Sequence, residues 1–429
     1  MTPPSAPESG RSRSFCILPW IALDIAPNGE VFPCCFFDAL RGHAAPGSLR
    51  RSSLSEIWNS EGFRSLRLAM LEGRSVPFCV RCYRLENSGC RSERMRANDA
   101  YASHLPFVSA TRKDGSLDRF APSALNIRFS NLCNYKCRYC GPERSSSWYP
   151  DALHWRGEGG PTDVPEAPLI TPTDDPEKLL RQIEPLLPEL RRIYFTGGEP
   201  LLTEEHRRIL DRLVALKRFD IELIYSTNFS VSRYQDMDFY RVWKDFQNVH
   251  VAASLDASGR RGEYIRKNQS WMSIVENRRR MLATCPEAGF FLAPAVSVMN
   301  ALALPDFHRE CIITGLLDPG HIGCGFIAEP EEMSVQVLPA HLKDVLEDRC
   351  AAHAEWLERS FGRTAESAIR MFEAVVKYAR ARDLSHLIEK FRLTTRTLDR
   401  IRSERVEDVF PELASLMESG TLRKDGATR

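Results

Sequence analysis

Short apolar runs alternate with longer amphipathic ones through the middle of the chain. The runs are ALNIRF (124–129), RIYFT (192–196), IELIYS (221–226), VHVAASL (249–255), FLAPAVSV (291–298) and IGCGFI (322–327). Their length and their aromatic and β-branched content predict strands. Between them, EKLLRQIEPLLPEL, EEHRRILDRLVALK, SIVENRRRMLATC and FHRECIITGLL place apolar residues at helical spacing. Strand–helix repetition of this kind predicts an α/β fold whose parallel sheet is built from crossover units. The six runs suit an open partial (β/α)6 TIM-like barrel and are also compatible with a flat doubly wound sheet.

The flanks read differently. Residues 15–100 are loop-rich and short of core residues. Their SEIWNSEGFRSLRLAML stretch spaces Ile57, Trp58, Leu66 and Met70 as one amphipathic helix over 55–71. A unit so poor in core often needs a metal for stability. From Leu338 onward the pattern is helical, most clearly in AHLKDVLEDRCAAHAEWLERSF and SAIRMFEAVVKYARA, as expected of helices covering one side of a barrel. Residues 141–175 are rich in proline and predict a mobile lid or an unstructured insertion. Residues 1–14 lack an apolar core, which predicts a disordered tail rather than a secretion signal. The expected division is therefore a tail (1–14), a Cys-rich module (15–100), a catalytic α/β domain (122–330) and a helical extension (331–429).

Composition narrows the function. A chain of 429 residues, 43% of them hydrophobic, is long enough for two or three packed units. A net charge of +1 lacks the basic excess of a typical nucleic-acid binder. No run of about 18 apolar residues occurs, so no membrane-spanning helix is expected and the cytoplasm is the default location. Disulfides are disfavoured there. Nine of the 13 cysteines precede residue 141, a clustering that metal binding explains. Cys285, Cys311, Cys324 and Cys350 stand singly among apolar residues and read as core thiols.

The sharpest signal is NLCNYKCRYCGP, which spaces Cys133, Cys137 and Cys140 as C-x3-C-x2-C directly after the first of the six strands. In a parallel barrel that loop faces the active site. Three thiolates can bind three corners of a cubic iron–sulfur cluster and leave one iron open for chemistry. A zinc site would want a fourth ligand, and His154 is the one candidate before the next strand. At the end of that strand lies YFTGGEPLL. Gly197 and Gly198 allow close backbone approach to a ligand, Glu199 offers a carboxylate to an ammonium group, and Pro200 stiffens the turn.

C-x3-C-x2-C after one strand, with aromatic Tyr139 before the last cysteine, and GGEP after the next, resembles the radical S-adenosylmethionine (radical SAM) superfamily. The resemblance covers roughly residues 122–330. It implies a 4Fe–4S cluster on Cys133, Cys137 and Cys140, whose open iron takes the amino and carboxylate groups of S-adenosylmethionine, with Tyr139, Gly197, Gly198 and Glu199 around the cofactor. It further implies that Ser254, in SLDASG, meets the ribose and that Arg266, in EYIRKNQ, meets the cofactor carboxylate. Asn228 in STN and the backbone near Val298 in VSVMN are weaker candidates. Asp256 reads either as part of this site or as a helix cap. The chemistry implied is reductive cleavage to a 5′-deoxyadenosyl radical and hydrogen abstraction, with an electron donor such as flavodoxin or ferredoxin as partner.

The amino-terminal cysteines resemble the twitch or SPASM modules of the same superfamily. They share Gly29 followed by Cys34, a helix with IWNS and FRSLR, and the P-x-C-x2-C pair. The resemblance implies an auxiliary 4Fe–4S cluster on Cys16, Cys34, Cys79 and Cys82. Cys35 could replace Cys34, Cys90 could replace Cys16 or be free, and tetrahedral zinc suits four cysteines equally well. Relatives with such modules act on peptides and proteins. A small-molecule dehydrogenase or epimerase, and a metal-stapled scaffold without catalysis, are the alternatives.

Overall fold

The computed structural model describes residues 14–35, 45–87, 91–158, 160 and 162–418. Residues 1–13 of the expected tail, and Cys90, lie outside the described residues. The chain divides into two compact units. One comprises Met1–Leu132, Leu169–Ser226 and Arg233–His250; the other comprises Cys133–Pro168, Thr227–Ser232 and Val251–Arg429.

The first unit is built on a mostly parallel sheet. Ala22–Ile25, Ala124–Ile127, Arg192–Phe195 and Glu222–Thr227 run parallel as neighbours in that order, and Glu30–Phe32 and Gly47–Ser48 continue it antiparallel beyond Ala22–Ile25. Three of the expected strands are therefore present here. Ala22–Ile25 is an addition: a strand of the Cys-rich module pairs Asp24 with Asn126 and Ile25 with Ile127. Along these strands burial alternates. Leu125, Ile127, Ile193, Phe195, Leu223 and Tyr225 are fully buried, whereas Asn126, Tyr194 and Ile224 on the other face are half-buried. The fully buried face is packed with aromatic rings. Phe195 stacks on Tyr225 at 5.1 Å, and His206, on the helix Glu204–Ala215, meets the Tyr225 hydroxyl at 3.1 Å.

The single helix expected over 55–71 is two helices, Leu54–Trp58 and Glu61–Leu71. Ser53 and Glu56 form a reciprocal capping box for the first, and Ser60 accepts the Phe63 N–H to begin the second. A second cap inside the apolar pattern restarts the helix there. Arg67 ties this helix to the chain's beginning: its fully buried guanidinium donates to the Pro19 carbonyl at 3.0 Å and lies 4.9 Å from the Trp58 ring.

The strand Asn248–Ala253 passes from the first unit into the second. The expected strand over 291–298 is two pieces, Gly289–Leu292 and Ala295–Val296, separated by Pro294, which has no N–H to donate. The expected strand over 322–327 shrinks to Gly325–Phe326, parallel to Ala295–Val296, because Gly323 and Gly325 weaken it. Helices Trp271–Thr284, Leu304–Ile313, Ala340–Phe361, Glu366–Ala381 and Ile388–Arg402 make up much of this unit. The proline-rich stretch is not without structure, since it contains the helix Tyr149–Gly157. No helix among the described residues is long and apolar enough to cross a membrane.

Candidate metal centres

Cys133, Cys137 and Cys140 lie in the second unit on one tight loop. Its middle, Lys136–Cys137, pairs antiparallel with Arg266–Lys267, which sets Arg266 opposite Cys137. The Arg266 guanidinium approaches the Cys137 sulfur at 3.7 Å. The Tyr135 N–H points at the Cys133 sulfur at 3.5 Å, and Asn228 Nδ2 stands 3.9 Å from it. Cys137 and Cys140 share a thiol hydrogen bond that lowers the first pKa and raises the second, while Arg266 favours the thiolate of both. N–H donors and a cation directed at sulfur suit thiolates that ligate a cluster.

The loop is held from behind. Ser147 donates to the Cys133 carbonyl at 2.6 Å, Ser145 to the Tyr135 carbonyl at 2.6 Å, and Trp148 Nε1 to the Cys137 carbonyl at 2.7 Å. The chain just beyond the cysteines thus returns to fix their backbone. His154 does not join them: its side chain is exposed and faces Glu158.

Arg266 does more than face a sulfur. It makes a two-point ion pair with Asp256. Asp256 also accepts the Tyr139 hydroxyl and the Ala295 N–H at 2.9 Å. Asp256 is therefore a hub rather than a helix cap, and it joins Tyr139 to Arg266, whose guanidinium lies 5.6 Å from the tyrosine ring. Asn228 Nδ2 also donates to Asn134 at 2.8 Å. Ser254 is half-buried, with its N–H on the Thr227 carbonyl. Val298 is fully buried and its N–H is taken by the Met333 carbonyl.

In the first unit, Gly197, Gly198 and Glu199 fold back on residues 130–132, which immediately precede Cys133 in sequence. The Glu199 N–H donates to the Leu132 carbonyl at 2.7 Å. Gly197 has φ +115°, and a Cβ on Gly198 would collide with the Leu132 carbonyl, so both positions require glycine. Glu199, 1% exposed, accepts the Leu201 N–H at 3.3 Å and caps the turn Pro200–Leu202.

Also in the first unit, Cys16, Cys79 and Cys82 act on one another electrostatically, beside the Arg94 guanidinium. Burial raises the Cys16 thiol well above its ordinary value and pushes Cys79 up to about 12, partly offset by a hydrogen bond from Tyr83. Ionising three neighbouring thiols, two of them buried, needs a compensating positive charge, which a metal group would supply. Cys34 is half-buried at the end of the hairpin. Cys35 has other neighbours, Asp24, Glu93 and Arg128. Among the described residues, no three His, Cys, Asp or Glu side chains are gathered as tightly as one metal ion requires.

Four residues outside the expected set support the cysteine loop: Asp151, Asp399, Arg402 and Glu404. Arg138 donates to Asp399 and Glu404, and Lys136 and Arg402 both donate to Asp151. The signal available in sequence was the pair of basic residues set between cysteines.

Comparison with known proteins finds a family match over each of the two segments that hold the cysteine groups. Residues 127–313 match the family described as the radical SAM superfamily, and residues 16–83 match SPASM, an iron–sulfur cluster-binding domain. Among curated proteins, the GTP 3′,8-cyclase of Sulfurimonas denitrificans is 31% identical over 105 residues, 24% of this chain and 26% of the relative. That of Mycobacterium ulcerans is 36% identical over 103 residues, 23% of this chain and 22% of the relative. The chain thus spans about a quarter of the length of the curated relatives it matches. Among solved structures, anSMEcpe with bound AdoMet and the Cp18Cys peptide superposes over 48% of this chain and 51% of its own, at 16% identity and a TM-score of 0.34.

Proposed function

Because the chain belongs to the radical SAM superfamily and carries a SPASM iron–sulfur domain, we propose that it reductively cleaves S-adenosylmethionine and uses the resulting 5′-deoxyadenosyl radical to remove hydrogen from a peptide or protein. The observation that carries this reading is the three-cysteine loop with donors directed at its sulfurs. Cys133, Cys137 and Cys140 would hold a cluster, which would supply the single electron for that cleavage. Arg266, fixed by Asp256, presents positive charge to the Cys137 sulfur and favours its thiolate. The methionine ammonium is assigned to the GGEP backbone and the Glu199 carboxylate, and the ribose to Ser254. A partial (β/α)6 barrel is the architecture this reading assigns to the catalytic domain.

The auxiliary 4Fe–4S cluster is assigned to Cys16, Cys34, Cys79 and Cys82. Four protein ligands would leave it no open iron, which favours accepting an electron from the substrate radical over holding the substrate. The peptide or protein substrate rests on the presence of this module, and a flavodoxin or ferredoxin is the proposed electron donor.

The test is anaerobic reconstitution, incubation with dithionite and S-adenosylmethionine, and chromatography for 5′-deoxyadenosine. Wild-type protein should form it. A variant with Cys133, Cys137 and Cys140 all changed to Ala should not, while keeping the iron of the amino-terminal module. Persistent 5′-deoxyadenosine from that triple variant would overturn the assignment.

A further inference from the structure

Lys136 and Arg138 are the two basic residues of the cysteine loop, and they alternate with its ligand candidates. Both long side chains are held by carboxylates from elsewhere in the second unit. Lys136 Nζ meets Asp151 Oδ1 at 2.8 Å, and Arg402 Nε meets the other oxygen of the same carboxylate at 2.8 Å. Arg138, whose side chain is fully buried, places Nη2 2.6 Å from Asp399 and 2.7 Å from Glu404. Glu404 extends its other oxygen to Lys267 at 2.8 Å, on the strand paired with Lys136–Cys137.

Aromatic rings complete the frame. The Arg138 guanidinium stacks 3.5 Å from the Tyr264 ring, and Tyr264 donates its hydroxyl to Asp399 at 2.7 Å. The Arg402 guanidinium lies 4.7 Å from the ring of Trp148, which itself holds the Cys137 carbonyl. Asp399 Oδ2 accepts the Val406 N–H at 2.9 Å, so the carboxylate that receives Arg138 is locked to its own backbone.

Asp399 and Arg402 lie on the helix Ile388–Arg402, and Glu404 lies in the turn after it. This helix belongs to the extension that the sequence assigns only to cover. Buried charges placed on it for no purpose would be costly, since each requires a partner. The side-chain partners of Asp399, Arg402 and Glu404 are Arg138 of the cysteine loop, Asp151, which also holds Lys136, and Tyr264 and Lys267 at the strand paired with the loop.

We propose that the end of the helix Ile388–Arg402 and the turn after it form a positioning device for the cysteine loop, which sets Cys133, Cys137 and Cys140 for cluster capture before any iron arrives. Asp399, Arg402 and Glu404 are its positioning residues, and Asp151 is the shared bridge. They act through Lys136 and Arg138. The proposal rests on reading the three cysteines as cluster ligands.

The experiment uses the full-length chain without metal. Hydrogen exchange of peptides covering residues 133–148 is compared among wild type, Glu404→Gln, Glu404→Asp and Asp399→Asn. The expected result for Glu404→Gln is exchange about tenfold faster in that segment and unchanged exchange in the sheet of the first unit. Glu404→Asp, which keeps the charge, should restore much of the protection. Anaerobic iron uptake by the Glu404→Gln protein should slow in parallel. Unchanged protection of residues 133–148 in both Glu404→Gln and Asp399→Asn overturns the proposal, as does equal loss of protection throughout the chain in both. Because exchange is read without iron, its outcome is independent of the ligand assignment, which the iron content of the triple cysteine variant tests separately.

Discussion

The guanidinium of Arg266 and the carboxylate of Asp256 meet at two points, Nε to Oδ2 at 2.8 Å and Nη2 to Oδ1 at 2.9 Å, with both side chains withdrawn from solvent. A buried pair of this kind is weak evidence of net stabilisation, but breaking it leaves an unpaired charge. Asp256→Ala should therefore cost about 3–5 kcal/mol in urea denaturation of the metal-free protein. Tyr139→Phe removes only one hydrogen bond to the same carboxylate and should cost about 1 kcal/mol. Equal losses in the two variants would show that the tyrosine, and not the ion pair, organises this part of the unit.

Gly198→Ala tests the GGEP turn through shape alone. A methyl group at this position meets the carbonyl of Leu132, which cannot yield without displacing the residue before Cys133. Overpacking of this kind costs about 1–3 kcal/mol. The expected result is a lower melting temperature together with weaker S-adenosylmethionine binding by equilibrium dialysis. Glu199→Ala, by contrast, should weaken cofactor binding while both iron centres remain, because the carboxylate caps its own turn by accepting the Leu201 N–H.

The second unit should lose stability in mild acid. His308 Nδ1 and His353 Nε2 lie 2.9 Å apart in an aromatic cluster with Phe372. Burial lowers the pKa of His308 to about 3 and of His353 to about 4. A folded-state pKa below the unfolded value of about 6.5 means that the unfolded chain binds more protons between them. Stability from the neutral pair is thus full above pH 6.5 and falls as pH drops from there toward 4. The loss is at most about 1.4 kcal/mol per pH unit for each histidine. Comparing His353→Phe with wild type by denaturant midpoints at pH 7 and pH 5 checks this. The variant should show the smaller drop between the two pH values, and an identical drop would exclude the pair as its source.

Much of the sheet of the first unit was legible because its strands are local signals. Leu125, Ile127, Ile193, Phe195, Leu223 and Tyr225 stand in compact apolar runs that read as strands whatever packs on them. The strand Ala22–Ile25 was missed because four residues inside a cysteine-rich loop carry too short a pattern, and its partner lies a hundred positions on. The break at Asn59 and Ser60 lies between two apolar stripes that remain in phase, so periodicity alone ran through it. The cysteines and GGEP were visible as fixed spacings. The supports of the cysteine loop were not, since Arg138 finds Asp399 across 261 positions and Glu404 across 266. Charge pairing at such separations leaves no local trace in a single sequence.

Adjacent Cys34 and Cys35 give opposite predictions. Cys79 and Cys82 both raise the Cys16 pKa, and Cys82 raises that of Cys79, as thiols in one neighbourhood do. Cys35 instead feels Asp24, Glu93 and Arg128, and none of the three thiols is among the groups that act on it most, which sets it apart from their neighbourhood. In the variant lacking Cys133, Cys137 and Cys140, the remaining iron should survive Cys35→Ser and fall sharply with Cys16→Ser, Cys79→Ser or Cys34→Ser. Iron and sulfide are measured after anaerobic reconstitution, with about four of each expected per chain before the further change. Loss of iron in Cys35→Ser with retention in Cys34→Ser would exchange the two residues' roles. It would also require the hairpin end to turn Cys35 away from Asp24 when the cluster is bound.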